Sequence, residues 1–148
     1  MGLNEQLMED LKDAMRKHQG VRVSTIRMAR AAIVNETKAK GRPLTDEELV
    51  GVLSRQIKQR RESIEEFTKG NRPDLADRER EEMEILLSYM PQQMSREEIV
   101  KAAEATIQEV GAEGPGDFGK VMSKLAPRLK GRAEGQVIAE VVRDLLAR

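Results

Sequence analysis

Apolar residues three and four apart recur along almost the whole sequence, and that spacing leaves little besides amphipathic helices to fold into. The longest stripe is Leu49, Leu53, Ile57, Ile64 and Phe67, which predicts a helix of about 34 Å. Thr45 and Glu48 stand at its start as a capping box, each side chain reaching the other's backbone N–H. Before it, Leu3, Leu7, Leu11, Ala14 and Met15 mark a first helix fading at Lys17–Gly20, with Gly20 as its expected stop. A second, about Arg22 to Lys40, is apolar nearly all round and is expected at the centre of a bundle. After a turn at Lys69–Pro73, with Gly70 at the stop, Leu75, Met83, Leu86 and Leu87 carry a fourth helix to about Tyr89.

Pro91 is the expected boundary, because the residue before a proline is pushed out of the helical region. Beyond it, Ser95 and Glu98 form a second capping box, and Ile99, Ala103, Thr106, Ile107 and Val110 give a fifth helix ended by Gly111. Asp117 is placed to cap a sixth, whose apolar stripe is Phe118, Val121, Met122, Leu125 and Leu129. Pro127 should kink or shorten it. Val137, Ile138, Val141, Val142, Leu145 and Leu146 make the seventh. Aromatics are 2% of the chain, so the core must be aliphatic, which suits helix-on-helix packing and argues against a sandwich or barrel. The expected fold is all-α: an N-terminal four-helix bundle-like domain over residues 1–90, followed by a small three-helix C-terminal domain over 91–148.

The chemistry of catalysis is hard to find. Cysteine is absent, which removes disulfides, thiolate chemistry and Cys-based zinc sites. The lone histidine, His18, lies at a fraying helix end among Arg16, Lys17 and Gln19, where a solvent-exposed role suffices. No serine sits in a Gly-x-Ser-x-Gly elbow, and Gly111–Gly119 lacks the Walker spacing and the preceding strand. We therefore assign no catalytic residue, no cofactor and no metal ligands, and expect a chain that is not catalytic alone. The longest apolar run falls far short of the roughly 18 residues a membrane span needs. Met1–Lys17 is amphipathic and carries Glu5, Glu9 and Asp10, unlike an apolar leader. The expected location is cytoplasmic, away from the membrane.

Charge is balanced overall, at 26 basic and 26 acidic residues, but unevenly distributed. Residues 12–42 hold nine Lys/Arg against only Asp13 and Glu36. Within that zone Arg27 and Arg30 share a stripe with Val23 and Val34, and two readings stand. They pair with carboxylates of the acidic helices that follow, or they form a second basic patch for phosphate. Arg55, Lys58, Arg60 and Arg61 are expected on a solvated face, paired along the helix with Glu62 and Glu65. The clearest grouping lies between Asp117 and Glu134, where Lys120, Lys124, Arg128, Lys130 and Arg132 occur with no acid among them. The first three line up at i, i+4, i+8, and a turn at Gly131 carries the charge onward. A helix that seats one face in a core and shows a cationic row on another is suited to a polyanion.

The same stretch carries a family resemblance. Gly119-Lys120-Val121-Met122, then Pro127, then Lys130-Gly131-Arg132-Ala133-Glu134-Gly135 resembles the C-terminal domain of the GatB/YqeY family. Ser123 and Glu134 depart from the residues usual there, glycine and aspartate. Met90-Pro91-Gln92-Gln93-Met94-Ser95 is similar to the junction of the free-standing YqeY type, and the chain length suits it. In the multi-subunit amidotransferase that shares the domain, a tail of this type contacts transfer RNA while the chemistry occurs elsewhere. The resemblance therefore implies a tRNA-interacting accessory module, associated with a carbon–nitrogen ligase that uses glutamine as amido donor. It also implies a protein partner in tRNA aminoacylation or amidation. Lys120, Lys124, Arg128, Lys130, Gly131 and Arg132 are the expected RNA-binding set. With few aromatics for base stacking, the contacts would be to phosphates of a folded RNA. Two alternatives remain: a helical protein–protein adaptor, and a non-catalytic subunit of a tRNA amidotransferase complex.

Overall fold

The structure is a computed structural model and describes residues 2–148. It is all-α, with no strand among the described residues: α1 Leu3–Arg16, α2 Gly20–Lys40, α3 Asp46–Lys69, α4 Pro73–Leu87, α5 Arg96–Val110, α6 Phe118–Leu129 and α7 Gly135–Leu146. A 3₁₀ turn, Pro115–Asp117, leads into α6. The chain divides into two compact units, one ending at Met90 and one running from Pro91 to Arg148. No helix among the described residues is long and apolar enough to cross a membrane.

In the first unit α2 packs against α1, α3 and α4, and α3 and α4 form the most extensive pair. Leu7, Leu11, Ile26, Ile33, Leu49 and Val52 make one buried cluster, and Ala29, Leu53, Ile57 and Leu86 make another. The α2 helix departs from the sequence expectation. Thr25, Ile26, Ala29 and Ile33 are its buried stripe, while Met28 and Val34 stay about half exposed, as does Met15 of α1. Apolar composition overstated its burial, because a helix meeting three neighbours on one side still turns its far side to solvent.

Helix ends follow local chemistry, with two reassignments. Both capping boxes form, Thr45 with Glu48 and Ser95 with Glu98. Three charge-assisted contacts, from the Arg42 guanidinium first and then the Thr45 backbone N–H and Lys40, hold the Glu48 carboxyl well below the usual carboxylate range. The stops after α1 and α3, however, are not made by glycine. His18 (φ 56°) and Asn71 (φ 57°) take the left-handed position. In each, the next N–H reaches back to the third-last helical carbonyl: Gln19 to Ala14 at 2.9 Å and Arg72 to Phe67 at 2.8 Å. Gly20 begins α2 instead of stopping α1, and Gly70 sits one residue before the left-handed position.

The basic cluster of α3 is also rearranged. Arg60 is 6% exposed, and its Nη1 donates to Glu82 at 2.9 Å and Glu79 at 3.3 Å on α4. It is therefore a buried clamp between two helices and not part of a solvated face; the partners lie too far along the chain for helical spacing to reveal them. Arg55 reaches across to Glu36 of α2 at 3.6 Å. At the other end of this unit the Tyr89 hydroxyl donates to Asp10, and Arg22 ion-pairs with Asp10 at 3.6 Å and Asp13 at 3.1 Å. Burial, and then Asp10, push the Tyr89 phenol above its ordinary range. These contacts fasten the tail of α4 to the α1–α2 corner.

The second unit packs α5, α6 and α7 around Ile99, Ala103, Val121, Leu125, Leu129, Ile138, Val141, Val142 and Leu146. Each fully buried side chain of this size contributes roughly 1.5–3 kcal/mol, so α6 is anchored by its Val121–Leu125–Leu129 stripe. Arg143 of α7 stacks over the Phe118 ring at 4.8 Å, closing the start of α6. Asp117 is at the α6 N-cap position, but its carboxylate does not cap the helix: it accepts from the Glu113 N–H at 2.9 Å and closes the preceding loop. Pro127 lies in the last turn, and α6 ends two residues later.

Candidate nucleic-acid interface

The buried stripe of α6 fixes which way its remaining residues face. With Val121, Leu125 and Leu129 inward, Lys120, Lys124 and Arg128 are all exposed, each about 6 Å further along the axis than the last. Beyond Leu129 the chain turns sharply. Lys130 (φ −56°, ψ 129°) and Gly131 (φ 81°) have type II turn geometry, and the Arg132 N–H donates to the Leu129 carbonyl at 2.9 Å. The third position of such a turn requires positive φ, hence glycine. Gly131 is itself buried, so it serves the surface as a pivot beneath it, while Lys130 and Arg132 are exposed on either side.

The turn is held from outside by the segment that opens this unit. Gln93 Nε2 donates to the Gly131 carbonyl at 2.9 Å, the Met94 N–H donates to the Arg132 carbonyl at 2.9 Å, and Arg132 Nε donates to the Gln92 carbonyl at 3.2 Å. The two motifs Pro91–Met94 and Lys130–Gly135 are thus adjacent in space. The arrangement fixes the backbone that carries Lys130 and Arg132, and the bond to Gln92 holds the Arg132 side chain.

An acid missing from the local sequence enters from α5. Glu109 accepts two parallel hydrogen bonds from Arg128, at 2.7 and 3.0 Å, and lies 3.4 Å from Lys124 Nζ. Arg128 first, with Lys124 assisting, holds the Glu109 carboxyl down to about 2. The row is therefore unequal. Lys124 and Arg128 share one carboxylate, Arg132 lends its field to Glu98, and Lys120 and Lys130 make no ion pair among the described residues. No local signal announced Glu109, which lies 19 residues from Arg128. The helix-to-helix packing of α5 on α6 brings it there.

Arg27 and Arg30, in the first unit, behave differently. Arg27 is exposed and donates to the Met15 sulfur at 3.9 Å, and Arg30 is half-buried. Neither makes an ion pair among the described residues, so the carboxylate partners expected from α3 and α4 are not theirs. His18 is exposed, as its surroundings suggested.

Comparison with known proteins gives this architecture a family. A relative in Pyrenophora tritici-repentis, "Altered inheritance of mitochondria protein 41, mitochondrial", is 30% identical over 95% of this chain and 78% of its own length. The protein of the same name from Lachancea thermotolerans is 36% identical over 93% of this chain and 78% of its own length. These names correct the expected cytoplasmic location, since they assign the relatives to mitochondria. The physical reason is that a compartment is set by targeting signals; a water-exposed helical surface suits one aqueous compartment as well as another. The family model described as "Yqey-like protein" matches residues 4–146, nearly the whole chain. The chain belongs to the YqeY-like family.

Proposed function

We propose that this protein is an RNA-docking module, with the phosphate backbone of a folded RNA of the tRNA class resting on the basic edge of α6 and its exit turn. The observation that carries the reading is the exposure of Lys120, Lys124 and Arg128 along α6 and of Lys130 and Arg132 on the backbone-fixed turn that follows it. Lys120 and Lys130 make no ion pair among the described residues, so a phosphate finds them uncompensated. The contacts are to backbone and not to bases. Phe67, Tyr89 and Phe118 are all at least half-buried, Tyr89 is hydrogen-bonded and Phe118 is covered by Arg143, which leaves no stacking platform. The module acts by binding, alone or beside a partner that performs the chemistry.

Filter binding of total tRNA, with mitochondrial tRNA as a second ligand because of the relatives' names, tests this reading. Three to five phosphate contacts should weaken affinity roughly forty- to five-hundredfold between 50 and 200 mM salt. Absence of binding at 50 mM, or binding indifferent to salt, would refute it. A second reading, a protein–protein adaptor, is favoured by one observation: Met15, Met28 and Val34 are large apolar side chains left about half exposed on the α1–α2 pair. An apolar interface would change little over the same salt range.

A further inference from the structure

Glu109 occupies an unusual position. It lies in the last turn of α5, the end of a helix where the backbone dipole disfavours an anion, and that turn holds no basic residue to offset it. Its carboxylate is instead received by the next helix, in a fork of two hydrogen bonds from Arg128 with Lys124 closing the third side. This donor set, a bidentate guanidinium with an ammonium beside it, is also the one that suits a phosphate group. All three side chains are 43–49% exposed, so the pair can open to solvent without disturbing the core. An ion pair this exposed contributes little to stability, so holding the fold together does not account for its geometry.

We infer that Glu109 fills a phosphate seat made by Lys124 and Arg128, and that RNA binding displaces it. This rests on the reading of the basic edge as an RNA surface and adds the specific place at which one phosphate enters. In the free protein Glu109 satisfies the two cations and lowers their attraction for stray anions. In the complex a backbone phosphate takes over the fork, and the freed carboxylate turns into solvent. Glu109 is thereby an affinity-setting residue, acting by competition without touching the RNA. A single small anion offers little advantage over the tethered carboxylate, whereas a polyanion already held at Lys120 and Lys130 can displace it.

The experiment compares tRNA binding at 100 mM salt by wild type, Glu109→Gln and Glu104→Gln. Glu104 is exposed on the same helix and makes no ion pair among the described residues, so its change alters net charge equally without touching the seat. Glu109→Gln should bind about five-fold more tightly, Glu104→Gln should match wild type, and Glu109→Gln with Lys124→Gln and Arg128→Gln should fall below wild type. Helicity and melting temperature should be the same in the two single variants. If wild type binds and Glu109→Gln is no tighter, or Glu104→Gln gains as much, the inference fails while the RNA surface stands. If none of the proteins binds, the RNA reading fails and takes the inference with it.

Discussion

Gly131→Ala tests the element that aims the end of the basic edge. The substitution adds one buried methyl group and places it where φ is 81°, a conformation in which an L-residue costs roughly 1–2 kcal/mol. The chain can accept that strain, or it can relax the turn. Relaxing gives up the Arg132-to-Leu129 bond and loosens the contacts from Gln93 and Met94. Each of these is worth about 1 kcal/mol net, so holding the turn is the cheaper course. The expected loss for the C-terminal unit is thus about 1–2 kcal/mol, and it should appear as roughly five- to thirtyfold faster hydrogen exchange in the slowest amides of α6 and α7. Gly131→Asn should lose less, since asparagine tolerates the left-handed region. Exchange in the α1–α4 unit serves as the reference within the same sample. Unchanged protection in Gly131→Ala would refute the requirement for positive φ and with it the account of how Lys130 and Arg132 are fixed.

Other outcomes follow from contacts elsewhere in the molecule. Arg60→Ala should destabilise the N-terminal unit by about 3 kcal/mol in urea unfolding, the lower end for a broken buried pair, because Arg78 at 3.5 Å still partly compensates Glu82. Changing Arg60 and Glu82 together to methionine should cost less than Arg60→Ala, since neither charge is then stranded. His18→Gly should raise stability by about 0.5–1 kcal/mol in the same assay, by relieving a left-handed non-glycine residue at an exposed stop. The Glu109 pairing has a defined pH window. Its carboxyl is held down to about 2 in the folded chain against an ordinary 4.5, so its contribution is complete above about 4.5 and fades as pH falls toward 2. Because the pair is exposed that contribution is small, so the pairing is read from the carboxyl itself: an NMR pH titration should place Glu109 well below 4.5, and titration at the ordinary value would contradict the pairing.

Features set by near neighbours in sequence were the ones legible in advance. Thr45 with Glu48 and Ser95 with Glu98 cap their helices because a cap needs only the spacing of one turn. The all-helical character followed from apolar spacing in the same way. Glycine was a poorer guide to helix ends: the left-handed site after α1 and after α3 falls one or two residues from the nearest glycine, and histidine and asparagine fill it. Arg60 and Glu109 were beyond reach for a different reason. Their partners lie 15 to 22 residues away and meet them only once two helices have packed. The burial of Gly131 and its contact with Gln93, 38 residues distant, belong to the same class. Local pattern thus located the basic edge, and packing decided which of its charges remain uncompensated.

Binding of total tRNA to Lys120→Glu combined with Lys130→Glu bears most directly on the basic edge as an RNA surface. These two side chains make no ion pair among the described residues and stand at opposite ends of α6, so reversing them leaves core, turn and the Glu109 pair untouched. Retention on filters at 50 mM salt should fall by at least tenfold while helicity and melting temperature stay at wild-type values. Undiminished retention by the doubly reversed protein would contradict the account.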